Sequence, residues 1–287
     1  MDQTIIDLYD DYVHRHFDRR LFMDRLVKLT GSAAAAGTAL ALLQSNYAHA
    51  ATVAENDSRI AVSRGEIPGA TGPLKTYTAR PAGGGRHGAV LVIHQNRGLN
   101  PHIEDIARRL ATEGYVAVAV DFLSPLGGTP ADENAAMQMF GKLDPAQTTA
   151  NAKAAVAYLH TAPGTNGKVG AVGFCWGGGV VNQLAVHDPS LNAAVVYYGT
   201  PAKPEEAAQV RTALLLNYAD PSLDKRNGAL APPYAEALKA AGKDYQIYFY
   251  QGAQHAFNDD TQSARYNEPA AKLAWSRTLA LFKRALS

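Results

Sequence analysis

Gly173-Phe174-Cys175-Trp176-Gly177 sets the only cysteine of a 287-residue chain between two glycines. Lys168 to Phe174 reads as a strand and Gly178-Gly179-Val180-Val181 opens a helix, so Cys175 stands on a sharp strand-to-helix turn. Such a turn strains its central residue and leaves no room for side chains beside it, which is why glycines flank it. The apical side chain is held clear of the sheet, and the positive end of the helix dipole favours a thiolate. That chemistry is nucleophilic attack. Two plainer readings compete. One is a buried structural cysteine. The other is an anion cradle, which would want a P-loop lysine or a spaced Gly-x-Gly-x-x-Gly pattern that this stretch lacks.

A thiol nucleophile needs a base, and on such a turn the chain order is nucleophile, acid, histidine. His255, in Gly252-Ala253-Gln254-His255-Ala256-Phe257 after the strand Tyr245 to Gln251, fits that order. Of the other eight histidines, His14, His16, His49, His87, His102, His160 and His187 fall in the N-terminal segment, loops or helices. The remaining one, His94, ends a strand beside the site, where it either faces substrate or is simply packed. Asp220 and Asp224 both follow the strand Arg211 to Tyr218, and either carboxylate could orient the imidazole; local chemistry leaves them close to even. The backbone N–H groups of Trp176 and Asn96 are the candidates for an oxyanion hole, and Arg97 beside Asn96 is a candidate substrate contact.

Strands and helices must alternate to place these residues together. Ala89 to His94 is a short apolar run rich in β-branched residues, as expected of a strand covered on both faces. Asn100-Pro101 opens a helix that Gly114 stops. Tyr115 to Phe122, Lys168 to Phe174, Leu191 to Tyr198, Arg211 to Tyr218 and Tyr245 to Gln251 are further strands. Asp144 to His160, Pro232 to Ala241 and Glu268 to Leu286 are helices. Strands alternating with long helices imply an α/β class, with a mainly parallel central sheet and helices on both faces. Ligands of such sheets bind beyond the carboxyl ends of the strands, where every candidate residue falls.

With 47% hydrophobic and 18% charged residues, the chain from Ala51 to Ser287 reads as one globular domain. Lys and Arg total 27 against 26 Asp and Glu, so no net field would hold it on nucleic acid or an anionic membrane. A lone cysteine excludes an intrachain disulfide and a Cys-rich metal site. The expected partner is therefore a small molecule, with no metal or cofactor implied. Residues 1–50 differ in character. Arg19-Arg20-Leu21-Phe22-Met23, a mild apolar stretch with Leu40, Leu42 and Leu43, and Ala48-His49-Ala50 resemble a twin-arginine export signal, which would make the protein periplasmic or secreted. The long acidic segment before Arg19, with Asp7, Asp10 and Asp11, instead suits an amphipathic helical extension from Ile5 to Leu29 that packs on the domain or on a partner, in a cytoplasmic protein. No stretch reaches the roughly 20 apolar residues of a spanning helix, so no stable membrane anchor is expected.

The elbow at Cys175, the segment Val92-Ile93-His94-Gln95-Asn96-Arg97-Gly98-Leu99-Asn100 and the loop around His255 together resemble the dienelactone hydrolase family, the cysteine branch of the α/β-hydrolases. The resemblance covers Thr76 to Ser287. It implies an α/β-hydrolase fold and a carboxylic ester hydrolase that opens a small ester or lactone through an acyl-enzyme on a Cys-His-Asp triad. The family's spacing of acid and histidine favours Asp224, 31 residues before His255 and followed by Arg226, over Asp220. Two positions depart from the family. At Gln95, a position counted among the substrate contacts, the family has a glutamate that contacts the thiol. Glutamine cannot take up a proton, so Cys175 is expected to be activated by His255 directly. Four residues after the histidine the family has an arginine for the substrate carboxylate; this chain has Asp259, leaving Arg97 or Arg265 as substitutes. Two other classes of function compete: a binding module without turnover, and a thiol-redox protein, which would lack a resolving cysteine.

Overall fold

Strand β3 (His87–Ile93), β5 (Thr165–Phe174) and β6 (Ala193–Tyr197) form the middle of an eight-stranded sheet, and their apolar runs are buried on both faces. The computed structural model describes residues 1–15, 17–47 and 52–287, apart from the side chains of residues 14 and 15. The expected cleavage site Ala48-His49-Ala50, the boundary at Ala51 and His16 lie outside the described residues.

The strand order is β1-β2-β4-β3-β5-β6-β7-β8, adding β1 (Ile60–Ile67), β2 (Leu74–Pro81), β4 (Val116–Val120), β7 (Ala213–Ala219) and β8 (Tyr245–Tyr250). From β4 to β8 neighbouring strands are parallel, while β2 runs antiparallel to both β1 and β4. On one face, α4 (Pro101–Thr112) and α9 (Glu268–Leu286) bury Ile103, Ile106, Leu110, Ala274 and Phe282. On the other, α6 (Pro145–Thr161), α7 (Trp176–His187) and α8 (Lys225–Ala240) bury Val156, Leu159, Leu184, Tyr234 and Leu238. The short α5 (Glu133–Phe140) packs Ala136 and Phe140 beside Leu123. This is the α/β arrangement that the alternation of elements implied.

Two elements differ from the sequence-based expectation. The antiparallel pair β1 and β2 is absent from it, because β1 is an edge strand whose interior positions are mostly exposed and carry no apolar run. Helix α8 begins at Lys225 rather than Pro232. Asp224 is its N-cap, accepting the Asn227 N–H at 3.2 Å, and the helix continues through Pro232 and Pro233, which read as a start by their usual place in a first turn.

Residues 3–43 form three helices, α1 (Gln3–Arg15), α2 (Arg19–Thr30) and α3 (Ala33–Leu43). Asp18 caps α2 through the Arg20 N–H, Gly31 ends it at a φ of 80°, and Ser32 caps α3. Their shared core is Ile6, Tyr9, Tyr12, Phe22, Leu26 and Leu43, with Tyr12 stacked on Phe22 at 4.5 Å. Met137 of α5 joins that core, so the segment packs on the domain. Among the described residues no single helix is long and apolar enough to cross a membrane, and α2 and α3 meet at a bend of 111°.

Candidate active site

Cys175 carries φ 53° and ψ −116°, a conformation that costs on the order of 1–3 kcal/mol and is held by its surroundings. Its N–H donates to the Tyr197 carbonyl of the neighbouring strand at 3.0 Å. The flanking glycines are forced by contact: a Cβ on Gly173 would lie 2.2 Å from the Gly177 oxygen, and one on Gly177 would lie 2.4 Å from the His94 oxygen. Strand β5 thus hands the chain to α7 with Cys175 at the junction. The residue is 8% exposed and opens into a cavity of about 710 Å³, which Tyr198, Thr200, Asp224 and His255 also line.

His255 Nδ1 lies 2.8 Å from Asp224 Oδ2, and both side chains are buried. Asp224 holds its place because it is also the cap of α8: Asn227 Nδ2 donates to the same oxygen at 2.9 Å and to the Tyr198 carbonyl at 3.1 Å. Burial alone would lower the His255 pKa, but the charges of Asp224 and Cys175 outweigh it and push the imidazolium up to about 10. The mirror effect acts on Asp224. Burial raises its pKa, and the stronger pull of His255 with the Asn227 donors takes it down to about 2. Asp220, the other candidate acid, accepts from Ser222 and from the Gly252 N–H at 2.8 Å, so it ties the loop after β7 to the loop after β8.

The loop after β3 is buried under α1. Asn96 Nδ2 donates to the Val13 carbonyl at 3.1 Å. Arg97 donates to the Tyr9 hydroxyl at 2.8 Å and pairs with Glu133 at 3.4 Å. Gln95 donates from Nε2 to Asp259 Oδ2 at 3.0 Å, so these two buried side chains are bonded to each other. Neither Gln95 nor Arg97 is among the residues that line the cavity with Cys175. For His94 the packed alternative is the one observed. It is fully buried, gives Nδ1–H to the Gln95 carbonyl at 2.7 Å, accepts the Phe122 N–H at Nε2 at 3.0 Å and stacks on the Trp176 ring. Those two partners fix a neutral tautomer, and burial lowers its pKa. Trp176 is the first residue of α7, so its N–H has no acceptor within the helix and points out of its N-terminus beside the thiol.

Asp259 is a buried hub, 1% exposed, that accepts from Gln95, Thr261 and Gln262 and sits 3.6 Å from His102. With His102 and Asp260 it is the group among the described residues whose ligand atoms lie close enough to share a metal ion. Arg109, bonded to both Asp105 and Asp260, already supplies positive charge there, and His102 faces the two carboxylates with Nδ1 while its Nε2 has no hydrogen-bond partner among the described residues. Reading the sequence missed two sets of residues at the cavity. Tyr198, at φ 41°, stands beside His255 at 5.0 Å between ring centres, and its only signal was its place at the end of a strand next to the elbow. Asp7, Asp10 and Asp11 of α1 line the cavity as well, and their spacing on one helix face was the available cue.

A mainly parallel sheet, a cysteine on a strained strand-to-helix turn, and a histidine and a carboxylate from beyond the ends of later strands define an α/β-hydrolase. The model of the dienelactone hydrolase family matches residues 74–286, and the chain belongs to that family. It is 31% identical over 268 residues to a candidate carboxymethylenebutenolidase of Methylorubrum extorquens, covering 88% of this chain and 91% of that protein. A candidate 2-oxo-3-(5-oxofuran-2-ylidene)propanoate lactonase of a Bradyrhizobium species is also 31% identical, over 71% of this chain and 86% of the relative. The crystal structure of a candidate dienelactone hydrolase from Klebsiella pneumoniae superposes with a TM-score of 0.70 at 30% identity, over 78% of this chain and 99% of that one. The protein is a hydrolase of the ester and lactone class.

Proposed function

We propose that Cys175, His255 and Asp224 act as a nucleophilic triad that cleaves a small activated ester or lactone through an acyl-enzyme. The observation that carries this reading is the 2.8 Å contact of Asp224 with His255 in the cavity that Cys175 lines. Asp224 holds the imidazole and stabilises its cation, and His255 keeps the thiol ionised. The thiolate attacks the carbonyl carbon, and the N–H groups of Trp176 and Asn96 receive the oxyanion. Collapse of the tetrahedral adduct breaks the bond to the leaving oxygen, which takes the proton from His255. Water, deprotonated by His255, then attacks the thioester, and the acid product leaves as the thiolate reforms. Gln95 stays outside these transfers because its amide is spent on Asp259.

The test is hydrolysis of 4-nitrophenyl acetate by the wild type, Cys175→Ala, Asp224→Asn and Asp220→Asn. Cys175→Ala is expected to abolish turnover. Asp224→Asn should lower kcat by at least a hundredfold, and Asp220→Asn should leave it within a fewfold. Turnover that survives Cys175→Ala would refute the triad, and equal losses in the two aspartate variants would refute the choice of acid.

A further inference from the structure

A second cavity opens beside the one that holds Cys175, a groove of about 950 Å³ between α6 and α7. Trp176 and His187, the first and last residues of α7, both line it, so it runs the length of that helix, about 16 Å at a rise of about 1.5 Å per residue. Thr200 and Arg226 line both cavities, and Trp176 follows Cys175 directly in the chain, so the groove continues the space around the thiol. Arg226 stands at the junction. It projects from the first turn of α8 and gives Nη2 to the Thr200 hydroxyl at 3.2 Å.

The groove combines carbon surface with charge of one sign. Leu143, Ala150, Trp176 and Val180 supply the apolar lining. Lys153, His187 and Arg226 also line it, and no aspartate or glutamate does. Of the carboxylates that line the neighbouring cavity, Asp7 pairs with Lys225, Asp10 with Arg265 and Asp224 with His255. Among the described residues neither Arg226 nor Lys153 forms an ion pair, so both charges face the groove uncompensated. Apolar walls with unpaired cations complement an apolar arm that ends in an anion.

We propose that the groove between α6 and α7 is the second arm of the substrate site, taking a chain or ring that extends from the ester past Arg226 and ends in a carboxylate or a phosphate. The inference rests on reading the Cys175 cavity as the site of acyl transfer. A cation about 6 Å from the anionic end, at an effective dielectric of about 60, favours it about fivefold.

The experiment compares alkylation of Cys175 in the full chain by N-hexyl iodoacetamide, 6-(iodoacetamido)hexanoate and 6-(iodoacetamido)hexyl phosphate, which share a reactive head and differ at the end of the arm. The ratio of anionic to neutral rate should exceed that for 2-mercaptoethanol at least fivefold, and the two anionic reagents tell carboxylate from phosphate. Arg226→Gln/Lys153→Gln is expected to lower the ratio at least fivefold. Arg226→Lys/Lys153→Arg keeps both charges and should hold it within twofold, so a loss shared by both double variants would overturn the charge reading. Ala150→Phe, which fills the groove, should slow all three arms at least fivefold relative to iodoacetamide itself. A wild-type ratio equal to that of 2-mercaptoethanol, a ratio within twofold of wild type in Arg226→Gln/Lys153→Gln, or no slowing by Ala150→Phe would each overturn the proposal. In parallel, mono-4-nitrophenyl suberate should be cleaved with a higher kcat/KM than 4-nitrophenyl octanoate. If neither ester turns over while the alkylation ratios behave as expected, acyl transfer fails and the groove stands.

Discussion

Gln95→Glu exchanges a buried amide for a carboxyl, and it should be destabilising in a way that depends on pH. Gln95 is 2% exposed and gives its amide to Asp259 at 3.0 Å, and Asp259 is itself 1% exposed with a pKa held at about 2. Burial opposes that low value, and His102, the Thr261 hydroxyl, Arg97 and Gln95 overcome it. A glutamate in this place has two options. Ionised, it sets a second buried carboxylate against the first. Protonated, it can donate to Asp259, but holding a carboxyl of ordinary pKa about 4.3 neutral at pH 7 costs about 3.7 kcal/mol, at 1.36 kcal/mol per unit. Arg97, 3.4 Å from Gln95 Oε1, softens the ionised form, so the loss expected at pH 7 is about 2 to 4 kcal/mol. At pH 5 the protonation cost falls to about 1 kcal/mol. Urea unfolding of wild type and variant at the two pH values measures this directly. A loss below about 1 kcal/mol at pH 7, or one that does not shrink on acidification, would refute the reasoning. Adding Asp259→Asn should recover much of it, since the pair is coupled.

Further predictions follow from the same geometry. The Asp224–His255 pair adds stability above the ordinary aspartate pKa of 3.8 and below the ordinary histidine pKa of 6.5. That stability is lost as pH falls through about 2 or rises through about 10, so the melting-temperature gap between wild type and Asp224→Asn should be widest near pH 5 and narrower at pH 10. A gap that widens toward pH 10 would contradict the assignment. Gly177→Ala drives a Cβ to 2.4 Å from the His94 oxygen and 2.5 Å from the Ile93 oxygen, both backbone, and should cost more than about 2 kcal/mol in chemical unfolding. Because α1 to α3 pack on the domain, the protein recovered from its native cell should have the mass of the intact chain. A mature form starting near Ala51 would make residues 1–50 the exported leader.

The sheet and the elbow were legible because their signals are local. Ala89 to His94 and Lys168 to Phe174 are apolar runs that only a doubly covered strand explains, and two glycines beside one cysteine mark a turn that admits no side chain. Asp224 and Asp220 could not be separated on local grounds, because what divides them is tertiary: one caps α8 beside His255, and the other ties two loops together. The surroundings of Gln95, Arg97 and Asp259 were illegible for the same reason. Each looks like a loop residue available to substrate, and each is consumed by a partner far away in sequence: Arg97 by α1 and α5, and Gln95 and Asp259 by one another across the loops after β3 and β8. Helix α1 itself was visible only as an ambiguity, since an acidic amphipathic segment ahead of twin arginines does not announce that it covers a cavity.

The central claim is that Cys175 carries the acyl group. Rapid acid quench of the wild-type protein during turnover of a slowly deacylating activated ester, followed by peptide mass analysis, tests it most directly. The account predicts one acyl mass on the peptide containing Cys175, absent from Cys175→Ala and accumulating more slowly in Asp224→Asn. Acyl mass on any other residue, or turnover with Cys175 never modified, would contradict it.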